Sequence, residues 1–229
     1  MARLVHIPKP LGAPILQTFA PPRRRPGPNW IGCRNGARPS SLTVPNWTPA
    51  FAGGGSPMTG PSEVAPIIVT ALFGRQDTAF FDSMRREHFP PERNQLDAHL
   101  TLFHHLPPSG LDELKHRLNQ ETRGIRAPQA RIGGLMSLGR GVAYRIESPD
   151  LVGIRGRLAD AFTGMLTPQD AGGWRPHVTI QNKVSPQVAK LLLGNLQRDF
   201  SPKDVEIAGL GAWWYRGGPW EAISRHMFA

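Results

Sequence analysis

The hydrophobic and polar positions of this chain predict an ordered region that begins near residue 66 and continues to the C-terminus. In seven segments, apolar residues alternate with polar ones or form short β-branched runs, and each such segment predicts a strand. The predicted strands cover residues 66–73, 96–105, 130–137, 142–147, 176–184, 205–215 and 220–226. In four segments, apolar residues recur three and four positions apart, which predicts helices. These helices are expected at 77–87, after Ser109, after Ser148 and after Ser185.

The order of these elements, β-α-β-α-β-β-α-β-α-β-β, predicts an α+β fold. After the first strand, the series helix, strand, helix and strand pair occurs twice in succession. This repetition predicts a bilobal fold, in which two pseudo-symmetric lobes of antiparallel sheet carry outer helices and enclose a central cleft. A region of about 170 residues is long enough to bury one continuous core or two closely joined ones.

A short pattern occurs twice, 78 residues apart, as His99-Leu100-Thr101-Leu102 and His177-Val178-Thr179-Ile180. Alternate side chains of a strand share a face, so each His shares a face with its Thr while the apolar residues face the core. Composition alone gives two such copies with a probability on the order of 0.002. The alternative is two ordinary strands whose polar faces carry a His and a Thr, since Thr favours strands. We interpret the pair as one constellation, with one motif in each lobe facing the cleft.

These residue types suit acid–base chemistry on a phosphate. An imidazole titrates near pH 6.5, so one His can be neutral while another is protonated. Opening a cyclic phosphodiester needs a base to deprotonate water and an acid to protonate the departing ribose oxygen. We expect His99 and His177 to flank the phosphorus, with Thr101 and Thr179 holding the phosphate as charge develops on it. Either His is able to serve as acid or base, and we favour His177 as the base.

These motifs, at this spacing, resemble those of the 2H phosphoesterase superfamily, specifically the bacterial family of 2'-5' RNA ligases and RNA 2',3'-cyclic phosphodiesterases. The resemblance extends from about Pro66 to the C-terminus. It implies one His-x-Thr motif per lobe, no metal requirement, and hydrolysis of 2',3'-cyclic phosphate termini of RNA or nucleotides to 2'-phosphates. The same site would also serve the reverse reaction, 2'-5' ligation, because a catalyst accelerates both directions. The chain departs from the family pattern in Gln181-Asn182-Lys183, where a small residue and an Arg usually follow the second motif.

Four further residues are candidates for substrate binding. Arg175 and Lys183 flank the second motif and could add positive charge, although surface solvation is the alternative for both. Trp174 and Phe103 could stack a nucleobase, although core packing is the alternative for both. We expect one stacking partner at most, and Trp174, which follows two glycines, is the stronger candidate.

Three histidines around the first motif raise the alternative of a metal site. Side chains an odd number of positions apart on a strand point to opposite faces, so His104 is expected to face away from His99. His99 and His105 would lie about 20 Å apart along a straight strand. The single cysteine, Cys33, lies far from this region of the sequence, and no nearby acidic cluster completes a tetrahedral set. We therefore expect no metal and no other cofactor.

The first sixty residues differ in composition from the rest of the chain. Residues 1–57 hold seven basic residues and no acidic one, so residues 58–229 carry 20 basic and 17 acidic side chains, a net charge of +3. The abundance of Pro and Gly predicts a disordered extension over residues 1–60, which cannot bury enough apolar area to fold. The alternatives are a basic arm that contacts RNA and a gene start assigned too early, with Met58 as the true start. The 2H phosphoesterase domain is expected at 61–229.

The charge and composition limit the classes of partner. A mildly basic ordered region argues for contact with RNA ends or nucleotide 2',3'-cyclic phosphates in a cleft, not for a broad nucleic-acid surface. No apolar stretch approaches the ~18 residues that span a bilayer, so we expect no membrane contact. One cysteine allows no intrachain disulfide, which fits a reducing cytoplasm. We also expect a monomer. The alternatives are a non-catalytic RNA-binding module of the same fold and a phosphodiesterase for small-molecule cyclic phosphates. Binding alone would need no acid–base pair, which favours an enzyme.

Overall fold

A computed structural model of the protein describes residues 65–229. Residues 1–64 lie outside the described part of the chain. The expected extension over residues 1–60, its two alternatives and the domain start at residue 61 therefore stay predictions.

Seven strands and five helices follow one another between residues 65 and 229. The strands are β1 (Ile67–Phe73), β2 (Leu100–Leu106), β3 (Gln129–Ser137), β4 (Val142–Glu147), β5 (His177–Gln181), β6 (Lys203–Trp214) and β7 (Glu221–Met227). The helices are α1 (Arg75–His88), α2 (Leu111–Thr122), α3 (Pro149–Ala161), α4 (Pro168–Ala171) and α5 (Pro186–Arg198). The seven predicted strands are all present, and α4 is a short helix that the sequence pattern does not predict.

The seven described strands form one antiparallel sheet in the order β1-β2-β5-β4-β3-β6-β7. β6 also pairs with β1, so six strands close into a barrel and β7 extends the sheet beyond β6. The predicted α+β class and the antiparallel pairing are confirmed. The described strands belong to one sheet, and a division into two lobes with one motif each stays a prediction.

Serine caps begin two of the helices as the sequence indicates. The Ser148 hydroxyl oxygen accepts a hydrogen bond from the backbone N–H of Leu151 at 3.2 Å, and Ser185 accepts one from Val188 at 3.3 Å. In both helices a proline occupies the first turn, where its missing N–H costs no hydrogen bond. The helix expected after Ser109 is present as α2, but Ser109 does not cap it, because a 3₁₀ turn precedes α2 and no side chain caps that helix.

Aromatic side chains anchor the helices on the core of the described region. Phe81 of α1 and Phe162 at the end of α3 are fully buried. The Phe81 ring lies 4.8 Å from the ring of Phe73 and 5.9 Å from that of Tyr144, which ties α1 to β1 and β4. Burying a side chain of this size stabilises the fold by roughly 1.5–3 kcal/mol. Among the described residues, no helix is both long and apolar enough to cross a membrane.

Candidate active site

The two strands that carry the motifs are neighbours in the sheet. β2 and β5 pair in antiparallel orientation through Leu100 and Val178. Both of these side chains are fully buried and belong to the core. The sheet therefore brings together two sequence segments that are separated by three helices and two strands.

The same register determines which polar side chains meet. In an antiparallel pair, the residue before one partner lies opposite the residue after the other, so His99 is opposite Thr179 and Thr101 is opposite His177. Side chains alternate between faces, so all four lie on the face away from the core. The two histidines are diagonal neighbours, for which the typical separation is about 7–8 Å between Cα atoms. That spacing leaves room for a phosphoryl group between the rings.

Each imidazole is oriented by a hydrogen bond to the backbone two residues earlier. His99 Nδ1 lies 2.8 Å from the carbonyl oxygen of Asp97, and His177 Nδ1 lies 2.7 Å from that of Arg175. A carbonyl oxygen only accepts hydrogen bonds, so Nδ1 carries a proton in both rings. Nε2 is then the nitrogen that gains or loses a proton. Both motifs thus hold the imidazole in the Nδ1-protonated tautomer through a hydrogen bond to a backbone carbonyl.

Burial is the main influence on the pKa of both imidazoles. It lowers the pKa of His99 to about 4. The carbonyl acceptor of the ring opposes this effect, and positive charge on Arg85, His104 and His177 adds to it. Burial also lowers the pKa of His177, again against its carbonyl acceptor, with smaller contributions from His104 and Arg175. Both rings are therefore neutral near pH 7 in the free protein, and a bound anion would favour protonation of one.

Arg85 of α1 supports the second motif from the buried side of the sheet. Its Nη1 donates to the backbone carbonyl of Thr179 at 2.9 Å, and its Nε donates to Asn94 Oδ1 at 3.1 Å. Burial lowers the pKa of the guanidinium, while Asp82 and Asp97 raise it. The guanidinium thus brings a positive charge to the base of the site and holds β5 in place.

The strand β2 contains a bulge that reorients its C-terminal half. The register with β1 shifts between Thr101 and Phe103, and the neighbours Leu102 and Phe103 are both fully buried. Two residues that turn to the same side interrupt the alternation, as in a β-bulge. His104 therefore lies on the face that carries Thr101 and His99. The prediction that His104 faces away from His99 is wrong, because strict alternation does not hold across a bulge.

Asp170 of α4 fixes the reoriented half of β2. Its buried carboxylate accepts hydrogen bonds from the backbone N–H groups of His104 and His105, each at 2.9 Å, and lies 3.1 Å from His104 Nδ1. Burial opposes ionisation, but the bonds from the His104 ring and the two backbone N–H groups hold the pKa of Asp170 below its usual range. Because Asp170 precedes His177 by only seven residues, this carboxylate links the two motif segments.

The two aromatic candidates have different environments. Phe103 is fully buried in the core, so the prediction that it contacts a nucleobase is wrong. Trp174 is half-buried, and its indole N–H donates to the backbone carbonyl of Thr101 at 2.9 Å. Arg155 lies over the Trp174 ring, 5.6 Å from its centroid. Trp174 thus links the segment before the second motif to β2, which carries the first motif. Its role in stacking stays a prediction.

The two basic candidates lie at the ends of the second motif. The Arg175 backbone contributes the carbonyl that orients His177, and its side chain is exposed. Lys183 is exposed in the turn after β5, where its φ of 60° falls in the left-handed region. A contact of either side chain with phosphate stays a prediction.

The amino-acid sequence also matches a family model over more than half of its length. Residues 73–219, which include both motifs, match the 2'-5' RNA ligase superfamily. The chain belongs to the 2'-5' RNA ligase superfamily. The resemblance to 2H phosphoesterases is thereby confirmed at the level of the superfamily.

Several solved structures match this member of the 2'-5' RNA ligase superfamily. TT0787 of Thermus thermophilus is 14% identical, with a TM-score of 0.50, and the match covers 71% of this chain and 97% of that one. Escherichia coli LigT complexed with 3'-AMP is 14% identical, with a TM-score of 0.44 and coverage of 72% and 98%. The first likeness shows the fold. The curated proteins contain no match to this chain.

Trp220 is a site residue of this superfamily member that the sequence reasoning missed. It lies just before β7, and its ring centroid is 4.6 Å from that of His99. Trp213 follows at 6.5 Å from Trp220, and its indole N–H donates to the Thr70 hydroxyl at 2.9 Å. The only sequence signal is a tryptophan after the Gly-Gly-Pro turn, because its approach to His99 depends on the pairing of four strands.

Arg85 was missed for a different reason. It lies four residues after the buried Phe81, on the same face of α1, where an apolar residue is expected. An arginine on the buried face of a helix needs partners in the interior, which is the signal that could have identified it. In residues 65–229, no group of three or more His, Cys, Asp or Glu side chains is arranged to hold a metal ion.

Proposed function

We propose that the protein hydrolyses 2',3'-cyclic phosphate termini of RNA or nucleotides to 2'-phosphates without a metal ion, and that the same site supports 2'-5' ligation in reverse. The observation that carries this proposal is the register of β2 and β5. In this register the imidazoles of His99 and His177 are diagonal neighbours on the polar face of the sheet. Each lies opposite the threonine of the other motif. Membership of a superfamily of phosphoesterases and RNA ligases supports an enzyme of this general class.

The proposed reaction uses Nε2 of both rings. Nε2 of one neutral ring accepts a proton from water while the water oxygen bonds to phosphorus. The bond from phosphorus to the ribose 3'-oxygen breaks, and the other ring, as imidazolium, gives its Nε2 proton to that oxygen. The product carries a 2'-phosphate and a 3'-hydroxyl, and the two rings have exchanged protonation states. Donors such as the hydroxyls of Thr101 and Thr179 stabilise the charge that grows on the non-bridging oxygens.

The direct test is hydrolysis of a 2',3'-cyclic nucleotide by the purified full-length chain in EDTA. We expect turnover with the chelator present and a 2'-phosphate as the product, identified by ³¹P NMR. Abolition of turnover by EDTA would contradict the metal-independent mechanism, and binding without turnover would favour the RNA-binding module. Rates on a mononucleotide and on an oligonucleotide with the same terminus then separate a small-molecule substrate from an RNA end.

The lowered pKa values of the two histidines predict an acidic optimum for hydrolysis. The reaction needs one neutral and one protonated ring, and in the free protein both rings are neutral near pH 7. We expect kcat/KM to rise as the pH falls from about 8 through the lowered pKa of His177, and to fall below about 4, where His99 also becomes protonated. The optimum for kcat should lie at higher pH, because a bound phosphate raises the pKa of a neighbouring imidazole.

This prediction is checked by pH–rate profiles of kcat/KM and kcat, measured in EDTA at constant ionic strength. A kcat/KM that increases steadily from about pH 5 to about pH 8 would contradict the assignment of an essential imidazolium to this site.

Trp220 is expected to stack the nucleobase next to the cyclic phosphate. Its ring lies beside the His99 ring, and every base offers a π-face, so the contact should be tolerant of base identity. Trp220→Ala should raise KM for a 2',3'-cyclic nucleotide by about 5–100-fold with a smaller change in kcat, since stacking contributes roughly 1–3 kcal/mol per base. Trp220→Phe, which keeps an aromatic face, is the matched control and should stay near the wild-type KM. Equal effects of the two variants would exclude a stacking role.

A further inference from the structure

We propose that Arg225 binds a phosphodiester of an RNA strand upstream of the cyclic phosphate, so that the substrate of this site is an RNA end and not a mononucleotide. The guanidinium would hold the backbone on the 5' side of the terminal nucleotide while the cyclic phosphate lies between His99 and His177. The inference rests on the proposed function, because it names the substrate class for the same site.

The strand pairings place Arg225 on the face of the sheet that carries the motifs. Thr101 of β2 pairs with Thr70 of β1, and Thr70 pairs with Gly211 of β6. Gly211 in turn pairs with Arg225 of β7. Residues directly opposite each other share a face, so Arg225 lies on the same face as Thr101. The neighbouring His226 is buried on the other face, where its Nδ1 lies 2.8 Å from a side-chain oxygen of α2.

A series of ring contacts connects the acid–base pair with Arg225. The ring centroids of His99 and Trp220 are 4.6 Å apart, and those of Trp220 and Trp213 are 6.5 Å apart. The Arg225 guanidinium lies over the Trp213 ring, 5.6 Å from its centroid. Aromatic surfaces beside a positive charge are the features with which proteins hold single-stranded nucleic acid. The series therefore leads from the reacting phosphate to a cation along a path that an RNA strand can follow.

The support beneath Arg225 is formed before any ligand arrives. A Cβ at Gly211 would lie 3.0 Å from Cζ2 of Trp213, so the indole ring lies directly over the glycine. The indole N–H donates to the hydroxyl of the buried Thr70 at 2.9 Å, which fixes the ring on the sheet. Because the ring is fixed at this position, the guanidinium that lies over it has a defined place on the face.

The charge of Arg225 is available to a ligand. In the described part of the chain its guanidinium contacts the Trp213 ring and forms no ion pair, and its side chain is exposed. The exposed Arg131 and Arg145, by contrast, are both paired with Glu147. The planar guanidinium binds two phosphate oxygens at once. A nucleoside 2',3'-cyclic phosphate has no phosphate besides the reacting one, so it would leave Arg225 without a ligand, whereas an RNA strand supplies one.

Ligands of two lengths test the inference on the full-length chain in EDTA. They are a trinucleotide and a mononucleoside, each ending in a 2'-phosphate, with dissociation constants measured by calorimetry at several salt concentrations. Arg225→Gln removes the charge, and Arg225→Lys keeps it without the planar fork. The matched control is Arg123→Gln, which removes one exposed charge at the end of α2, on the other side of the sheet.

We expect Arg225→Gln to weaken trinucleotide binding by about 5–10-fold, between the values for an exposed ion pair and for a hydrogen bond to a charged group. The slope of log affinity against log salt should fall by about 0.7, the value for one phosphate of a single strand. Arg225→Lys should lose less, and Arg123→Gln should match the wild type. Mononucleoside binding should be unchanged in all three variants.

Wild-type trinucleotide affinity in Arg225→Gln, or an equal loss for both ligands, would overturn the inference. Binding needs no turnover, so the two proposals fail separately. Trinucleotide binding that depends on Arg225, in a chain that does not hydrolyse the cyclic terminus, would refute the proposed function alone.

Discussion

Replacing either motif histidine with alanine is expected to lower kcat for a 2',3'-cyclic nucleotide by about 10²–10⁴-fold, the usual contribution of a general acid or base. Each ring supplies the single Nε2 that moves a proton on its side of the phosphorus, and the opposite threonine cannot replace it. His99→Ala and His177→Ala are measured in EDTA beside His105→Ala, which should keep wild-type activity. Wild-type turnover in either motif variant would remove the proposed mechanism.

A substrate with sulfur at the leaving position then assigns the two roles. A thiolate leaves without protonation, so such a substrate needs the base and not the acid. With His177 as the base, His99→Ala should recover much of its lost rate on the sulfur substrate, and His177→Ala should not. Recovery in His177→Ala instead would reverse the assignment, and recovery in neither would count against acid–base catalysis by this pair.

Replacing Asp170 with alanine is expected to lower the free energy of unfolding by about 2–4 kcal/mol. The substitution leaves the backbone N–H groups of His104 and His105 without their carboxylate acceptor, and each such loss costs roughly 1–3 kcal/mol. Asp170→Asn keeps one acceptor oxygen and should lose less. Urea unfolding with a constant slope measures the change, and Asp160→Ala, an exposed acid on α3, should stay within about 0.5 kcal/mol of the wild type.

The pH dependence of this stability has a definite sign. The pKa of Asp170 is lower in the folded protein than in the unfolded chain. The carboxylate therefore contributes fully to the free energy of unfolding above the pKa of the unfolded chain, and this contribution is lost as the pH falls through the pKa of the folded protein. The stability difference between the wild type and Asp170→Asn should therefore shrink below about pH 4. A difference that grows in acid would show that the carboxylate is not ionised in the native state.

The paired motif and most of the secondary structure could be predicted because they depend on local order. Alternation at His99-Leu100-Thr101 and at His177-Val178-Thr179 already separates a polar face from a core face. The caps at Ser148 and Ser185 are likewise set by residues within one turn of the helix. The strands of the motifs are nevertheless shorter than predicted, since their ends depend on pairing with distant neighbours.

Tertiary structure decided which of the remaining side chains reach the site. The bulge in β2 arises where the strand meets β1 and the carboxylate of Asp170. It turns His104 toward the face that carries Thr101 and His99, and it turns Phe103 into the core. Trp220 approaches His99 only because β7, β6, β1 and β2 pair in series. Local periodicity assigns a face of its strand or helix to each residue. A bulge, a buried charged side chain or a long-range strand pairing changes the surroundings of a residue at a position that the pattern does not mark. The sequence by itself therefore determined the acid–base pair and its threonines, and the closed sheet decided what surrounds them.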